Sequence, residues 1–370
     1  MPLELHGLKS ADIHAKVRSL IHDLVNIKDE TGEFLMTLAD GRIIDTKGWN
    51  DWEWTHGVGL YGIWKYYELT DDAEFLKIIE DWFQNRFDEG HKGKNINTMA
   101  VFLTLAFVYE KTGNQTYVPW LDSWAEWAMH DLGRTKYGGM QHTTYLEIND
   151  EQLWDDTLMM TVMPLAKIGL VLNRPEYVAE AKRQFLLHTQ YLFDAPSGLF
   201  FHGWTFPAAG HHFARARWAR GNAWLTIVIP EFVELSTCPR TTRCATTSST
   251  PLEAQAAALV PLQEADGSGA RCSTSPRTRA PTSRPARRPA SPTASSRPSA
   301  RGTSARSTRP RPSRPSTLVI DNISPRASCS HVVRHGMGTT AALQGHSEDE
   351  HAYGQAMAMM ALVEFLRVYY

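Results

Sequence analysis

Three segments of the chain share one pattern, in which an apolar helix is followed by a short polar turn and a second helix. Their turns are Thr70-Asp71-Asp72, Thr112-Gly113-Asn114 and Asn173-Arg174-Pro175. Apolar residues recur every three or four positions on either side of each turn, which is the period of an amphipathic helix. Gly and Asn suit the end of the first helix, while Asp and Asn suit the start of the second. Repeated helical hairpins of this kind predict a solenoid or a closed toroid.

The first helix of each hairpin is more apolar than the second. In the middle hairpin, Leu103, Leu105, Ala106, Phe107 and Val108 leave almost no polar face. Such a helix is buried on both sides, as in an inner ring of helices wrapped by an outer ring. The fold class that we predict is therefore all-α, an (α/α) toroidal barrel forming one domain over residues 1–370. A generic helical bundle is the alternative.

The composition changes abruptly in the last third of the chain. Residues from Arg271 to Val319 include no Asp, Glu, Lys or aromatic residue, and prolines interrupt every helical or strand period. Two shorter tracts, Thr237 to Thr250 and Pro325 to His335, have the same character. Ordinary helical sequence returns at Leu252 to Gly267 and at the C-terminus. We therefore expect the barrel to be disrupted after about residue 236.

Two interpretations of the anomalous tract at 271–319 compete. It is either a disordered basic linker, with a nucleic-acid-binding tail as one variant, or a stretch read out of frame from a GC-rich gene. The abrupt edges and the return of amphipathic helix favour the second interpretation. Translation of the DNA in the other two frames distinguishes them, because only a frame error would restore aromatic, helical sequence there.

Charge and hydropathy exclude several other classes of protein. The formal net charge is -2, which gives no overall attraction to nucleic acid or to anionic membranes. The N-terminus MPLELHGLKS lacks the basic and apolar regions of a signal peptide, and no apolar run approaches the ~20 residues of a membrane span. We predict a cytoplasmic protein with neither nucleic acid nor membrane as a partner, whose four cysteines form no disulfides.

Four segments between the helices are rich in Trp, His, Asp, Asn and Arg. They are Trp49 to Gly57; Lys94 to Thr98; Gly138 to His142 with Leu153 to Thr157; and Phe201 to Trp204 with Trp218 to Trp224. Each precedes or opens a helix, so all four are expected at one end of the ring. Aromatic rings stack on sugar faces, polar groups bind the hydroxyls, and an arginine can hold a uronate carboxylate in a fork. These segments therefore predict a sugar site.

Asp155 and Asp156 are the carboxylates within this set. Each could simply cap a helix, but a carboxyl among tryptophans is expected to have a raised pKa, which suits a general acid. Because adjacent residues on a helix point apart, we expect one to be catalytic and the other solvated or structural. His56, His142 and His202 show no metal-binding spacing, so we predict no metal and no cofactor. Arg220, flanked by Trp218 and Trp224, is expected in a pocket rather than as a surface charge.

The motifs WEWTHGVGLYG, GGMQH, LWDDTLMM, FFHGW and WARGNAW together resemble glycoside hydrolase family 105. The resemblance covers roughly residues 10–235, then Leu252 to Gly267 and the YGQAMAM segment. It implies an (α/α)6 barrel whose catalytic acid/base is Asp156, in the W-x-D motif. It also implies substrate contacts by residues matching the family's other motifs, namely Trp54, His142, His202, Trp218, Arg220 and Trp224. Asn97 stands where many members carry a second Asp, and we expect it to contact the substrate.

The activity that the resemblance implies is the metal-free removal of a 4,5-unsaturated uronic acid from the end of an oligosaccharide in pectin or glucuronan breakdown. Asp156 would protonate C4 of the C4=C5 double bond and then, as a carboxylate, activate water for attack at C5. One acid suffices, in contrast to hydrolysis at the anomeric carbon by two carboxylates. The alternatives are a non-catalytic carbohydrate-binding toroid and another (α/α) barrel enzyme, such as an epimerase centred on a pair of histidines.

Overall fold

The computed structural model describes residues 4–5, 8–38, 40–90, 93–207, 210–212, 215–236, 243–262, 272–273 and 352–367. Its α-helices are α1 Ser10–Val25, α2 Trp54–Thr70, α3 Ala73–Glu89, α4 Val101–Thr112, α5 Val118–Glu126, α6 Met163–Val171, α7 Pro175–Leu192, α8 Ala219–Leu235, α9 Arg243–Leu259 and α10 Ala352–Leu366. Short 3-10 helices cover Thr98–Ala100, Gln115–Tyr117 and Val260–Leu262, and π-helical turns cover Trp127–Asp131 and Leu158–Val162.

The helices form two layers. The inner layer runs in the order α10, α2, α4, α6, α8, each packed against the next, while α1, α3, α5, α7 and α9 pack outside them. Helix α2 is buried without interruption from Thr55 to Tyr67, whereas α3 buries one stripe along its length. The prediction of a buried first helix and an amphipathic second helix is confirmed, and the fold is the all-α, (α/α) barrel type. No helix in the described ranges is long and apolar enough to cross a membrane.

The turns of the three hairpins lie where the sequence predicts them. Asp71, Gly113 and Asn173 follow the first helices with positive φ angles of 52°, 67° and 54°. Asp72 then caps α3 by accepting a hydrogen bond from the Glu74 N–H at 3.1 Å. Asn114 accepts one from the Thr116 N–H at 3.1 Å. A left-handed residue followed by a side-chain cap reverses the chain within two or three residues.

Short antiparallel ribbons lie before the first helix and in the segments that connect later helices. They are β1 Glu4–Leu5 with β2 Leu8–Lys9; β3 Leu35–Thr37 with β4 Ile43–Asp45; β5 Gln152–Trp154 with β8 Gly203–Thr205; β6 Phe193–Asp194 with β7 Leu199–Phe200; and β9 Arg217–Trp218 with β10 Cys272–Ser273. Sequence periodicity did not predict them, because two or three residues are too short to show alternation. The β5–β8 ribbon matters most, because Trp154 pairs with Gly203 and so brings two distant segments together.

The anomalous tracts are only partly within the described residues. The tract from Thr237 to Thr250 was expected to be irregular, yet α9 begins at Arg243 and continues through it. Helix α9 is held to α8 by Gln255, whose side-chain amide donates to the Asn222 carbonyl oxygen at 2.9 Å. Apart from residues 272–273, the tract at 271–319 lies outside the described residues, as does the tract at 325–335. Disruption of the barrel and a single domain over 1–370 stay predictions.

Candidate active site

The inner helices bring the polar segments together at one end of the barrel. Trp54 opens α2, Asn97 precedes the 3-10 turn before α4, and Asp156 precedes the π-helical turn before α6. Arg220 lies in the first turn of α8, and Tyr353 is the second residue of α10. Each inner helix thus presents its N-terminal end to the same region, where the helix dipole favours negative charge. This agrees with an anionic ligand.

Asp156 lies at the centre of this region. The Trp224 indole N–H donates to Asp156 Oδ1 at 3.1 Å. His202 Nδ1 lies 3.5 Å from Asp156 Oδ2, and the Asp156 side chain is 15 % exposed. Asp156 is therefore held by its neighbours while one side stays open to solvent, as a group that acts on a bound substrate requires.

Asp155 faces the same histidine as Asp156. His202 Nδ1 lies 2.9 Å from Asp155 Oδ1, and the Asp155 side chain is fully buried. The β5–β8 ribbon makes this contact possible, because the Asp155 N–H donates to the His202 carbonyl oxygen at 3.0 Å. The expectation that only one carboxylate faces inward was wrong, because Asp155 lies in the turn after β5 rather than on a regular helix.

Burial and charge separate the two carboxylates. Burial raises the pKa of Asp155 to about 8, and the charge of His202 only partly offsets it. Burial also acts to raise the pKa of Asp156, but His202, His142, the hydrogen bond from Asp155 and Arg220 together hold it below its ordinary value. The expectation of a raised pKa was therefore wrong for Asp156 and applies to Asp155. Because one oxygen of each carboxyl lies within 4.8 Å of the other, the charge of one affects the titration of the other.

The two site histidines differ in charge. Burial opposes protonation of His202, but Asp155 and Asp156 raise its pKa above the ordinary value. Burial lowers the pKa of His142 to about 4, so this imidazole is neutral near pH 7. His142 stacks on Trp154 with ring centroids 4.4 Å apart, and its Nδ1 lies 2.8 Å from the Thr157 hydroxyl oxygen. The carboxylates therefore favour the protonated form of His202, whereas His142 is a neutral ring packed against Trp154.

Aromatic rings surround the Arg220 guanidinium. Its central carbon lies 4.0 Å from the centre of Trp218, 4.9 Å from Tyr353 and 5.2 Å from Trp54. Rings at these distances attract a cation and limit the orientations of its planar group. A guanidinium held in this way is preorganised to bind a carboxylate through its N–H edge. The expectation that Arg220 lies in an aromatic-lined pocket agrees with this geometry.

Asn97 lies against Glu53, the N-terminal cap of α2. The Asn97 amide acts to lower the pKa of the Glu53 carboxyl, which accepts a hydrogen bond from the Trp54 N–H at 3.0 Å. Burial, together with the nearby Asp51, raises the pKa of Glu53 to about 8 despite these two donors. The site therefore holds another buried acid that is neutral at pH 7, beside Asn97.

Glu53→Gln is expected to make the stability of the protein less dependent on pH. An acid with a raised folded pKa stabilises the fold at low pH, and this contribution is lost as pH rises from its unfolded value near 4.5 to about 8. The neutral amide has no such loss. Urea unfolding at pH 5 and pH 9 should show a smaller decrease in the free energy of unfolding for the variant than for wild type. The exposed Glu147→Gln serves as the control, and an equal decrease in all three proteins contradicts the assignment.

The residues predicted to contact the substrate form two groups, one partly exposed to solvent and one buried. Trp54, Asn97, Asp156 and Arg220 are partly exposed, so they are open to a ligand. His142, His202, Trp218 and Trp224 are at most 2 % exposed, and the described contacts of Trp224 and Trp218 are with Asp156 and Arg220. Direct contact with substrate stays a prediction for all of them. Trp224 contacts Asp156 and Trp218 contacts Arg220, so these two buried rings restrict the positions of the two exposed groups.

Asp155, Asp156 and His202 also offer one ligand atom each within 4.8 Å of one another. This spacing would admit a metal ion, but hydrogen bonding within the group already accounts for the short His202–Asp155 contact of 2.9 Å. The predicted absence of a metal stays a prediction. Activity that persists after exhaustive chelation is the result we expect.

Sequence reasoning did not identify Tyr353, Glu53 or Gly221 as site residues. Tyr353 opens the YGQAMAM segment, and Glu53 stands between two tryptophans in the WEWTHG motif. A Cβ built on Gly221 would lie 2.0 Å from Asp155 Oδ2, so only glycine allows this carboxyl to lie against α8. The WARGNAW motif therefore has a glycine at this position because the Asp155 carboxyl of the WDD motif packs against it. This contact can be seen only in the three-dimensional structure.

Trp224→Phe is expected to lower kcat about tenfold with little change in KM. The substitution keeps a ring beside Trp54, 5.9 Å away between centroids, but removes the N–H that orients Asp156. A hydrogen bond to a charged group contributes roughly 1.5–3 kcal/mol, which corresponds to about tenfold or more. Steady-state kinetics measures kcat and KM, and Trp127→Phe, which lies outside this region, is the control. An unchanged kcat in Trp224→Phe would show that the Trp224 N–H does not contribute to catalysis.

Comparison with known proteins identifies relatives with this architecture. A structure of a possible member of family GH105 from Salmonella enterica superposes with a TM-score of 0.88 and 44% sequence identity, covering 100% of this chain and 97% of that chain. The unsaturated rhamnogalacturonyl hydrolase YesR of Bacillus subtilis is 30% identical over 218 residues. That alignment covers 58% of this chain and 62% of YesR, so the chain matches about three fifths of that relative's length.

A second curated relative matches a shorter region. The unsaturated 3S-rhamnoglycuronyl hydrolase of an Alteromonas species is 32% identical over 82 residues, or 22% of this chain and 20% of that protein. The family model described as Glycosyl Hydrolase Family 88 matches residues 26–281, a range that includes Trp54, Asp156 and Arg220. The predicted resemblance to hydrolases of unsaturated uronyl sugars is confirmed by these matches. This chain belongs to Glycosyl Hydrolase Family 88.

Proposed function

We propose that the protein is a hydrolase that removes a 4,5-unsaturated uronic acid from the non-reducing end of an oligosaccharide. The observation that carries the proposal is the placement of Asp156, which is buried by Trp224 and His202 but 15 % exposed on its open side. Arg220 lies close enough to act electrostatically on Asp156. A carboxyl beside a preorganised guanidinium suits a sugar that carries its own carboxylate next to the reacting double bond.

The reaction begins with protonation of the double bond. Asp156 delivers a proton to C4, and the electron pair of the double bond forms the new C–H bond, leaving an oxocarbenium-like centre at C5. Water then attacks C5, and the Asp156 carboxylate accepts a proton from that water. The resulting hemiketal opens and releases the rest of the oligosaccharide. Asp156 therefore regains the proton that it donated by the end of the cycle. No second catalytic carboxylate is needed, so Asn97 is compatible with activity.

The binding residues have separate tasks in this scheme. Arg220 holds the uronate carboxylate through its N–H edge, and Trp54 offers an exposed ring for the sugar face. Asn97 is placed to hydrogen bond a hydroxyl group. His202 carries the positive charge that balances the Asp155–Asp156 pair during proton transfer.

The substrate that we favour is an unsaturated galacturonyl residue from rhamnogalacturonan, because YesR is named for that activity and its alignment is the longer of the two. The test uses lyase-generated unsaturated oligosaccharides from rhamnogalacturonan and from glucuronan, followed by their vinyl absorbance. Faster loss with the rhamnogalacturonan product supports this choice, and faster loss with the glucuronan product replaces it.

A non-catalytic sugar-binding toroid and an epimerase are the competing functions. Folded protein that binds these oligosaccharides without loss of absorbance would indicate the binding protein. An epimerase centred on two histidines would require both to exchange protons near pH 7, whereas burial lowers the pKa of His142 to about 4. Product analysis by NMR would reveal an epimer directly.

A further inference from the structure

Asp155 and Asp156 each have a buried carboxylate oxygen for which the mechanism above gives no role. Asp155 Oδ2 and Asp156 Oδ2 are both buried and, among the described residues, neither accepts a hydrogen bond from an N–H or hydroxyl donor. The closest such donor is His202 Nδ1, 3.5 Å from Asp156 Oδ2. Two buried carboxylate oxygens without donors are costly, and a proton held by the pair lowers that cost.

Neighbouring hydrogen-bond donors fix the orientation of the two carboxyls. Asp155 Oδ1 is held by His202 Nδ1 at 2.9 Å, which turns Oδ2 toward Gly221. Asp156 Oδ1 is held by the Trp224 indole N–H at 3.1 Å. Each carboxyl therefore uses one oxygen for an external donor, and one oxygen of Asp155 lies within 4.8 Å of one oxygen of Asp156.

We propose that Asp155 and Asp156 share a single proton, and that this shared proton is the one delivered to C4 of the unsaturated sugar. The inference rests on the proposed function. Asp155 is a positioning residue, because it acts on the substrate only through Asp156. Buried like-charged carboxyls within 4.8 Å of each other cannot both ionise easily, so the pair retains a proton at a pH where an isolated aspartate would have lost it.

The charge balance of the cycle follows from this arrangement. In the proposed cycle the pair carries one negative charge at rest, and the two carboxyls raise the pKa of His202 and so favour its protonated form. When the proton moves to C4, the pair carries two negative charges, which stabilise the developing positive charge at C5. The attacking water returns a proton to the pair and restores its resting charge. The other titratable or charged groups that act on the pair are His142, which is neutral near pH 7, and Arg220.

Asp155→Asn tests the proposal through its pH profile. The amide cannot store a proton, so Asp156 must hold it alone beside His202 and Arg220. We expect kcat/KM at pH 7 to fall about 10- to 100-fold, the alkaline limb to move down by at least about one pH unit, and activity to recover as the pH is lowered. Asp150→Asn, an exposed neighbour, is the matched control and should keep the wild-type profile. A uniform loss without movement of the alkaline limb overturns the proposal.

A second measurement does not depend on activity or on the variant's folding. In wild-type protein labelled with carboxyl-13C aspartate, NMR should show an aspartate carboxyl that still holds a proton at pH 7. That signal should disappear in Asp155→Asn. Complete ionisation of every aspartate at pH 7 overturns the shared proton, even if wild type consumes the double bond. If wild type is inactive on all unsaturated substrates while the protonated signal is present, the proposed function fails and the shared proton stands.

Discussion

Asp156→Asn is expected to lower kcat by about 10⁴-fold while leaving substrate binding within about threefold of wild type. Asp156 serves as both acid and base in the proposed cycle, and general acid–base groups contribute about 10²–10⁴-fold. The amide oxygen of Asn can still accept the Trp224 N–H, so the fold around it should be retained. Stopped or continuous absorbance assays give kcat, and calorimetry with the unsaturated oligosaccharide gives the affinity.

The control for this experiment is Asp150→Asn, a change of the same chemistry at an exposed position close by in the sequence. It should keep wild-type kcat and affinity. Wild-type turnover in Asp156→Asn would contradict the assignment of the acid/base. Loss of both turnover and binding in a folded variant would instead place Asp156 among the binding groups.

Arg220→Gln is expected to raise KM about 10- to 100-fold, because the uronate loses its charged partner. A hydrogen bond to a charged group contributes roughly 1.5–3 kcal/mol, and glutamine offers neither the charge nor the fork. Arg220→Lys should fall between wild type and glutamine, because it retains the charge without the planar group that packs 4.0 Å from the centre of Trp218. Steady-state kinetics on one unsaturated disaccharide gives all three values.

Arg174→Gln is the matched control, because Arg174 is a half-exposed surface arginine paired with Asp122. Its KM should match wild type. A KM unchanged in Arg220→Gln would show that the uronate is bound elsewhere. In that case the aromatic rings around Arg220 would serve the packing of α8 against α10 rather than recognition.

The sequence was most informative about the features that repeat. The hairpin turns at Asp71, Gly113 and Asn173 follow from local chemistry, and each has the positive φ angle that ends a helix. The two-layer arrangement follows from the difference in polarity between α2 and α3. A pattern that repeats over many residues can be recognised in the sequence alone, so these features could be predicted without knowledge of the fold.

The chemistry of the site could be predicted only in part. The motifs indicate Asp156 and Arg220, but the contact of Asp155 with His202 joins residues 47 positions apart through the β5–β8 ribbon. A ribbon of three residues on each side leaves no periodic signal. Tyr353 reaches Arg220 from the far end of the chain, so its place in the site depends on closure of the helical layers.

The charges of the site depend on three-dimensional packing as well. Sequence alone placed the raised pKa on Asp156 because of its tryptophan neighbours. In the structure the cations around Asp156 outweigh its burial, and Asp155 has the raised value. The positions of His202 and Arg220 determine which carboxyl has the higher pKa. Those positions depend on the three-dimensional fold and cannot be deduced from the spacing of residues in the sequence.

The most direct test of the central claim is the stoichiometry between loss of the double bond and release of the sugar. Purified wild-type protein is incubated with an unsaturated rhamnogalacturonan disaccharide, and vinyl absorbance and new reducing ends are followed together. Hydration of C4=C5 predicts that one double bond disappears for every sugar released. Reducing ends that appear while the absorbance persists would show direct cleavage at the anomeric carbon and would contradict the proposed mechanism.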